Sequence, residues 1–503
     1  MVRGLNSFMN SEFDVIVIGA GINGAGIARD AAMRGLKVLL VDKGDIGGGT
    51  SSASTRLIHG GLRYLEHFEF GLVRESLRER ETLVRIAPHL VRPLAMTIPI
   101  YKQSRRGLLT IRAGMLAYDL LSLGKSLPRH RMLSRRKTLE RLPGLNPEGL
   151  VGSALYFDAQ VEFAERLVLE NVLAAHERGA EVQTYARVTN LTLSGIEFVC
   201  EGKKQSAQAS VVINASGPWV DYLLDEAPGE SPKLIGGTKG SHIVVAPFAE
   251  SPANAIYLEA ESDGRPFFII PWNGNYLIGT TDVRFEDNPD EVRSELWEVD
   301  YLLAETNRAF PAARLTRDDV LYTYSGVRPL PVTGEKDELS ITRRHFIREH
   351  PRLSNLLSII GGKLTTYRSL AEECVDLIFR KLERPSPPCT TAKEVLPGAM
   401  NFSSFATEFK GSERLLRIYG SRASEVTQLN EDPFTAEILF AFKHEFAKTL
   451  ADYLLRRTMH GLDGDRGLSH LSAAAKVATQ HLGWTEERAM REVEAFLAAD
   501  ERR

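Results

Sequence analysis

Cysteine is scarce in this chain. Three occur in 503 residues, Cys200, Cys374 and Cys389, at spacings that fit neither a disulfide framework nor a zinc site. A reducing cytoplasm is the simplest expectation, and no metal is expected. No apolar run approaches the ~18 residues of a spanning helix, which restricts membrane contact to the periphery. Residues 1–12 lack an apolar core long enough for a signal peptide. Charge of one sign is not in excess: 62 basic against 65 acidic residues leave a formal net charge of −3, so nucleic acid is not an expected partner. Internal repeats and low-complexity tracts are also missing. The remainder, 43% hydrophobic and 25% charged, suits a soluble globular protein of two or three domains.

The most informative stretch runs from Phe13 to Asp42. A β-branched run, Val15 to Ile18, meets Gly19, Gly21 and Gly24. A helix-period segment follows, then a second apolar run, Val38 to Val41, ending at Asp42. Gly19 permits a tight turn, Gly21 lets backbone approach a pyrophosphate, and Gly24 allows close helix–strand packing. The helix N-terminus faces the phosphate charge, and Asp42 stands where a carboxylate accepts from an adenosine ribose. Glycines also mark ordinary turns, but here strand, helix, second strand and terminal acid fall in order.

A loop rich in glycine, serine and threonine spans 44–61. The alternating Arg and Glu of 73–86 read as a helix with a solvated face of i,i+4 pairs. Residues 102–141 hold Lys102, Arg105, Arg106, Arg112, Lys125, Arg129, Arg131, Arg135, Arg136, Lys137 and Arg141 against two acids, Asp119 and Glu140, with an apolar segment at 108–123. That pattern suits an anionic membrane surface, and equally a solvated basic face over an internal helix. Further on, 162–178 and 367–382 read as helices, 211–217 and 356–360 as buried strands, and 233–285 as antiparallel strands. A Pro-rich linker at 385–388 precedes a mostly helical tail, with 436–457 and 486–498 as its clearest helices. The organisation is a nucleotide-binding domain assembled from separated pieces, an inserted antiparallel substrate domain, and an appended helical domain.

Three small-residue segments follow predicted strands: 19–24, 214–217 and 361–366. In an open α/β sheet the strand C-termini share one edge, where ligands bind. The last segment starts a helix, so the amides of Leu364 and Thr365 would face a flavin carbonyl. Three such segments favour FAD over NAD. Arg328 and Arg343 flank the segment leading to Lys363, where two guanidinium groups suit a phosphate or carboxylate; a surface ion pair is the plainer alternative. His242 begins an antiparallel strand, a place more often structural than catalytic.

Seven motifs together resemble the FAD-dependent glycerol-3-phosphate dehydrogenases, respiratory flavoenzymes of the glycine-oxidase-like superfamily: GAGINGAGIARD (19–30), TSSASTRLIHGGLRYLE (50–66), NASGPWVD (214–221), KGSH (239–242), IGTTD (278–282), YSGVRPL (324–330) and GGKLTTY (361–367). The tail with LRRT (455–458) is similar to the family's C-terminal domain. Asp42 departs from the pattern, since Glu is common there. The resemblance implies an α/β fold: a Rossmann-type FAD-binding domain with an inserted antiparallel substrate domain and a helical C-terminal domain. The FAD-dependent region would cover 12–385, with FAD-binding pieces at 12–80, 150–225 and 350–385 and substrate segments at 81–149 and 226–349; the helical domain would cover 389–503.

By the same resemblance, FAD would lie against Gly19, Gly21, Gly24, Asp42, Thr50, Ser51, Ser54, His59, Gly60, Gly61, Val188, Ala215, Gly217, Gly362, Leu364 and Thr365. Arg328 and Arg343 would hold the phosphate of sn-glycerol 3-phosphate, with Lys363, Arg63, Tyr64 and His242 around the reacting carbon. His242 would act as base, and Lys363 or Arg63 would stabilise the developing alkoxide. Electrons would pass to quinone, which needs a membrane surface and favours the membrane reading of 102–141, at the inner face of the cytoplasmic membrane. Family oxidases carry an insertion that is not obvious here, so a dehydrogenase is preferred. The competing readings are a related flavin oxidase of a small amino or hydroxy acid and a FAD-binding scaffold without turnover. A homodimer is left open.

Overall fold

The computed structural model describes residues 12–229, 231–332 and 344–500. Two sheets organise it. In the first, strands Glu181–Gln183, Val38–Val41, Glu12–Ile18, Lys203–Asn214 and Leu356–Ile360 lie side by side in that order, all parallel. Phe346–Glu349 closes one edge antiparallel. Val15–Ile18 and Val38–Val41 are buried throughout, as a parallel sheet covered on both faces requires. Helices Ile22–Met33, Ala164–Glu177 and Tyr367–Lys381 supply much of one cover, where Ala25, Leu167 and Leu370 share a core with Val15 and Val17.

The second sheet is largely antiparallel. It runs from Val283–Arg284 through Thr238–Val245, Asn275–Gly279, Pro266–Trp272, Ala255–Glu259 and Val91–Tyr101 to Leu150–Val161 and Leu57–Ile58. Val320–Arg328 pairs with Thr238–Val245 along the whole of that strand. Leu150–Val161 therefore belongs here, although its sequence position assigned it to the nucleotide-binding pieces. It is buried on both sides for most of its length, so it shows no alternation that would mark a half-exposed antiparallel strand.

The charged helix Phe70–Ile86 corrects the reading of a solvated face. Glu79 and Arg80 are buried, each in an ion pair with a distant partner, Arg368 and Asp158. The tail also differs from a long helix over 436–457. Pro433–His444 ends as Phe446 turns to φ +61°, and Thr449 caps a new start at Leu450–Asp452. A π-helical turn, Tyr453–Arg457, follows. No helix among the described residues is long and apolar enough to cross a membrane.

Candidate active site

The C-terminal ends of Glu12–Ile18, Lys203–Asn214 and Leu356–Ile360 open onto one edge. There the glycine turn is closed by backbone: Gly19 N donates to the Val41 carbonyl at 2.8 Å and Ala215 N to that of Ile18 at 2.8 Å. Gly19 adopts φ +106°, and a Cβ on it would stand 2.6 Å from the Ala215 carbonyl oxygen. One on Gly24 would stand 1.8 Å from the Gly19 carbonyl oxygen. Gly21, by contrast, has only Ser51 Oγ in reach of its missing Cβ, at 3.5 Å, which leaves room above the turn. Ser51 Oγ itself accepts from Ile22 N at 3.0 Å.

Asp42 grips this turn. Its Oδ2 accepts from Ala20 N at 2.6 Å and its Oδ1 from Gly44 N at 2.7 Å. Burial pushes its carboxyl upward, against the two amides, which favour the ionised form. Each oxygen keeps acceptor capacity for a ribose hydroxyl. The side chain of Val188 packs in the apolar cluster with Val41 and Phe198, on a strand tied to the Asp42 carbonyl through Ala186 N at 2.7 Å.

The loop of small residues then threads between the sheets. Thr50 Oγ1 donates to the Val327 carbonyl at 2.8 Å, and the Ser54 carbonyl accepts from Tyr324 at 2.9 Å. His59 N donates to Thr365 Oγ1 at 3.1 Å, bringing the 50–61 loop to the start of helix Tyr367–Lys381. Burial pushes the His59 imidazole below its ordinary range. Gly60 N is held by the Tyr118 hydroxyl at 3.0 Å and by Asp158 at 3.2 Å. Gly217 and Gly362 turn the other two strand ends, at φ +64° and +92°, and Leu364 packs partly buried on the core.

Two clusters of functional side chains flank that loop. In one, Arg328 reaches Asp282 at 2.9 Å, Thr280 Oγ1 at 3.0 Å and the Thr281 carbonyl at 3.2 Å. His242, on the adjacent strand, stacks on Tyr324 with ring centroids 4.8 Å apart. Its Nε2 meets Thr55 Oγ1 at 2.9 Å, and its Nδ1 is buried without a hydrogen-bond partner. Burial, then Arg328, then Arg56, push the imidazole down to about 3. In the other cluster, Lys363 Nζ lies 3.8 Å from the Tyr64 ring centroid. No ion-pair partner of Lys363 stands among the described residues, and burial lowers the basicity of its ammonium. The clusters are joined where Gly361 N donates to the Pro329 carbonyl at 2.8 Å. Arg343 and the side chain of Arg63 lie outside the described residues.

Several residues at the site escape the sequence reading. Thr55 and Tyr324 position His242; Thr280 and Asp282 orient Arg328; Asp158 and Tyr118 hold Gly60. All but Asp158 and Tyr118 sit inside quoted motifs, so their neighbourhood was the available signal. Asn23 is another: its Nδ2 donates to the Gly361 carbonyl at 3.3 Å, and its Oδ1 is buried without a partner.

Residues 14–377 match the family model described as FAD dependent oxidoreductase, and 389–489 match the C-terminal domain of alpha-glycerophosphate oxidase. A glycerol-3-phosphate dehydrogenase of Synechocystis sp. is 47% identical, over 98% of this chain and 97% of its own length. The chain belongs to the FAD-dependent glycerol-3-phosphate dehydrogenase family. An aerobic glycerol-3-phosphate dehydrogenase of Staphylococcus aureus is 34% identical over 89% of this chain and 87% of its own. The solved structure of the Bacillus halodurans glycerol-3-phosphate dehydrogenase complexed with FAD superimposes with a TM-score of 0.81 at 30% identity, covering 98% of this chain and 95% of that one.

FAD fits the residues at the strand edge. Among the described residues, the buried Asn23 Oδ1, Lys363 Nζ and Trp219 Nε1 find no hydrogen-bond partner around it; such buried groups normally hydrogen-bond to something. Within the glycine turn, side chains at Gly19 and Gly24 would collide with backbone, while the space above Gly21 is open for a dinucleotide to press on the main chain.

Proposed function

We propose that the protein oxidises sn-glycerol 3-phosphate at C2 to dihydroxyacetone phosphate, with FAD as hydride acceptor and a membrane quinone taking the electrons onward. One observation carries the choice of substrate within the family: an oriented guanidinium, Arg328, and a buried ammonium with no counter-ion among the described residues, Lys363, stand on either side of the same cofactor loop. A buried cation is strongly disfavoured without an anion or developing charge to meet it.

Arg328, joined by Arg343, binds the phosphate in the bidentate manner suited to guanidinium. Lys363, with Arg63 and Tyr64, faces the C2 oxygen and stabilises the negative charge that builds there. His242 takes the C2 hydroxyl proton. Its imidazole is neutral at working pH, as a base must be, and Thr55 Oγ1 holds its Nε2 in place at 2.9 Å. Arg328 is a main cause of its low basicity after burial; a phosphate dianion on Arg328 relieves that effect, so substrate arrival itself strengthens the base. FAD, held at the glycine turn and by Asp42, would supply the hydride acceptor for C2. The remaining work is positional: to hold C2 against the flavin and keep water away.

The helix Leu108–Leu121 supports the membrane part. It buries Ile111, Met115 and Tyr118 and turns Leu109, Leu116 and Leu120 to solvent, with the exposed Arg112 among them and Arg105 just before. Leu109 is 80% exposed. Apolar side chains ringed by cations suit an anionic lipid surface, where a quinone is met. Arg106 takes no part in this, because it is paired with Glu66 and Glu259.

The test is the visible flavin band of anaerobic holoprotein before and after sn-glycerol 3-phosphate. Bleaching is the expected result. A band that persists with this substrate and bleaches with a small amino or hydroxy acid overturns the substrate and points to a related oxidase.

A further inference from the structure

The C-terminal domain touches the cofactor region at one densely charged place. Arg457, fully buried, grips Asp45 with both ends of its guanidinium, Nη1 to Oδ2 at 2.9 Å and Nη2 to Oδ1 at 2.7 Å. Arg456 also donates to Asp45 Oδ2, and to Asp452 Oδ1 at 2.9 Å. Asp452 in turn accepts from the Tyr185 hydroxyl at 2.5 Å, and Tyr185 N donates to the Gly44 carbonyl at 3.0 Å. Two separate chains of contact thus run from 452–457 to 44–45.

The loop they meet holds the glycine turn. Asp42 Oδ2 accepts from Ala20 N, and Gly47 N donates to the Ala20 carbonyl at 2.9 Å. Ala20 lies between Gly19 and Gly21, so the position of 42–47 sets the position of the turn. The arginines are anchored from behind. Arg457 Nε donates to the Glu445 carbonyl at 2.7 Å, and the Glu445 carboxylate is held bidentately by Arg166, at 2.7 and 2.9 Å, from helix Ala164–Glu177. Both arginines stand on the π-helical turn Tyr453–Arg457, a local geometry frequent at functional sites.

We propose that Arg456 and Arg457 are positioning residues for FAD: the C-terminal domain clamps Asp45, and through it the glycine turn that receives the dinucleotide. The arginines act through Asp45, Asp42 and Ala20, and the clamp needs only FAD, whatever the substrate. Burial alone would raise the Asp45 carboxyl, and the two arginines hold it below its ordinary range, so the clamp stays charged across the neutral region.

The experiment is FAD titration into apoprotein of wild type, Asp45→Asn, Arg456→Met and Tyr185→Phe, with flavin release and global unfolding followed separately on heating. Val426→Ala serves as control: it opens a cavity at a fully buried position of the C-terminal domain, in helix Ala423–Thr427, which packs on Glu413–Tyr419 and Pro433–His444. The expected result is an FAD dissociation constant raised on the order of tenfold in Asp45→Asn and Arg456→Met. Tyr185→Phe, which breaks one of the two chains, gives a smaller rise. Flavin release then precedes unfolding, whereas Val426→Ala unfolds earlier with wild-type FAD affinity. The clamp is overturned if Arg456→Met and Tyr185→Phe bind FAD as wild type does, or if every variant loses affinity only in proportion to its unfolding temperature. Should Asp45→Asn fail to fold, the two milder variants decide the matter. Failure of the substrate reading would appear as normal FAD binding without bleaching, a distinct outcome.

Discussion

Glu79 and Arg368 face each other in a bidentate pair, Nε to Oε2 at 2.6 Å and Nη2 to Oε1 at 2.7 Å, with both side chains buried. They join helix Phe70–Ile86, which follows the cofactor loop, to helix Tyr367–Lys381, which begins just after Lys363. Removing one partner of a buried pair leaves an uncompensated charge. Glu79→Gln is expected to lower stability by about 3 kcal/mol, the lower end of the usual range, because Glu372 still reaches Arg368 Nη1 at 2.8 Å. Urea denaturation of holoprotein measures it; a change within about 0.5 kcal/mol, the scale of surface substitutions, would contradict it.

Lys363 sets the alkaline behaviour. Its ammonium is depressed by burial, so its charge is lost as pH rises through a value below that of an ordinary lysine. The rate kcat/KM should fall over that range, earlier than solvent-exposed lysine chemistry would allow. Lys363→Met should lose about 10²- to 10³-fold in kcat, the usual effect of deleting a charge-stabilising donor, while flavin absorbance remains. An alkaline limb that stays in place in Lys363→Met would remove Lys363 from the chemistry.

His242 contributes in the opposite direction along the pH scale. In the folded protein its imidazole sits near 3 against 6.5 for the free group, so between those values the unfolded chain binds a proton that the native one refuses. Stability is therefore undiminished above about pH 6.5 and declines as pH falls below it, by at most about 1.4 kcal/mol per unit. His242→Gln abolishes that share of the slope. Denaturation midpoints of both proteins at pH 7 and pH 5 should differ more for wild type; parallel shifts would refute the linkage.

Vesicle flotation tests the exposed leucines. Leu109→Gln, Leu116→Gln and Leu120→Gln combined should abolish association with anionic vesicles, and charge reversal at Arg105 and Arg112 should weaken it by about 1 kcal/mol per cation removed, more at low salt. Unchanged flotation in both sets would place the lipid contact elsewhere or nowhere.

The parts of this molecule that sequence alone revealed are those where one local pattern has one physical meaning. Residues 13–42 read as strand, glycine turn, helix, strand and acid because each step is contiguous, and Leu356–Ile360 was bounded by its own apolar run. Leu150–Val161 misled because a strand covered on both faces carries no period. The charges of 70–86 misled for a related reason: Glu79 and Arg80 look like solvated surface until Arg368 and Asp158, distant in sequence, close over them. At the site, the glycines and Asp42 were legible as a motif. Thr55 against His242 was not, since a 2.9 Å contact across 187 positions leaves no local trace.

Leu57–Ile58 pair with Gln160 and Ala159 of the antiparallel sheet, yet they stand in the loop that wraps the cofactor edge of the parallel one. The two sheets are thus stitched at this edge by the loop that carries the short strand. A rotation of one against the other would tear that ladder and the Thr50–Val327 and Tyr324–Ser54 bonds beside it. Any opening that swings one sheet against the other would therefore have to break contacts at the very edge that holds the cofactor loop.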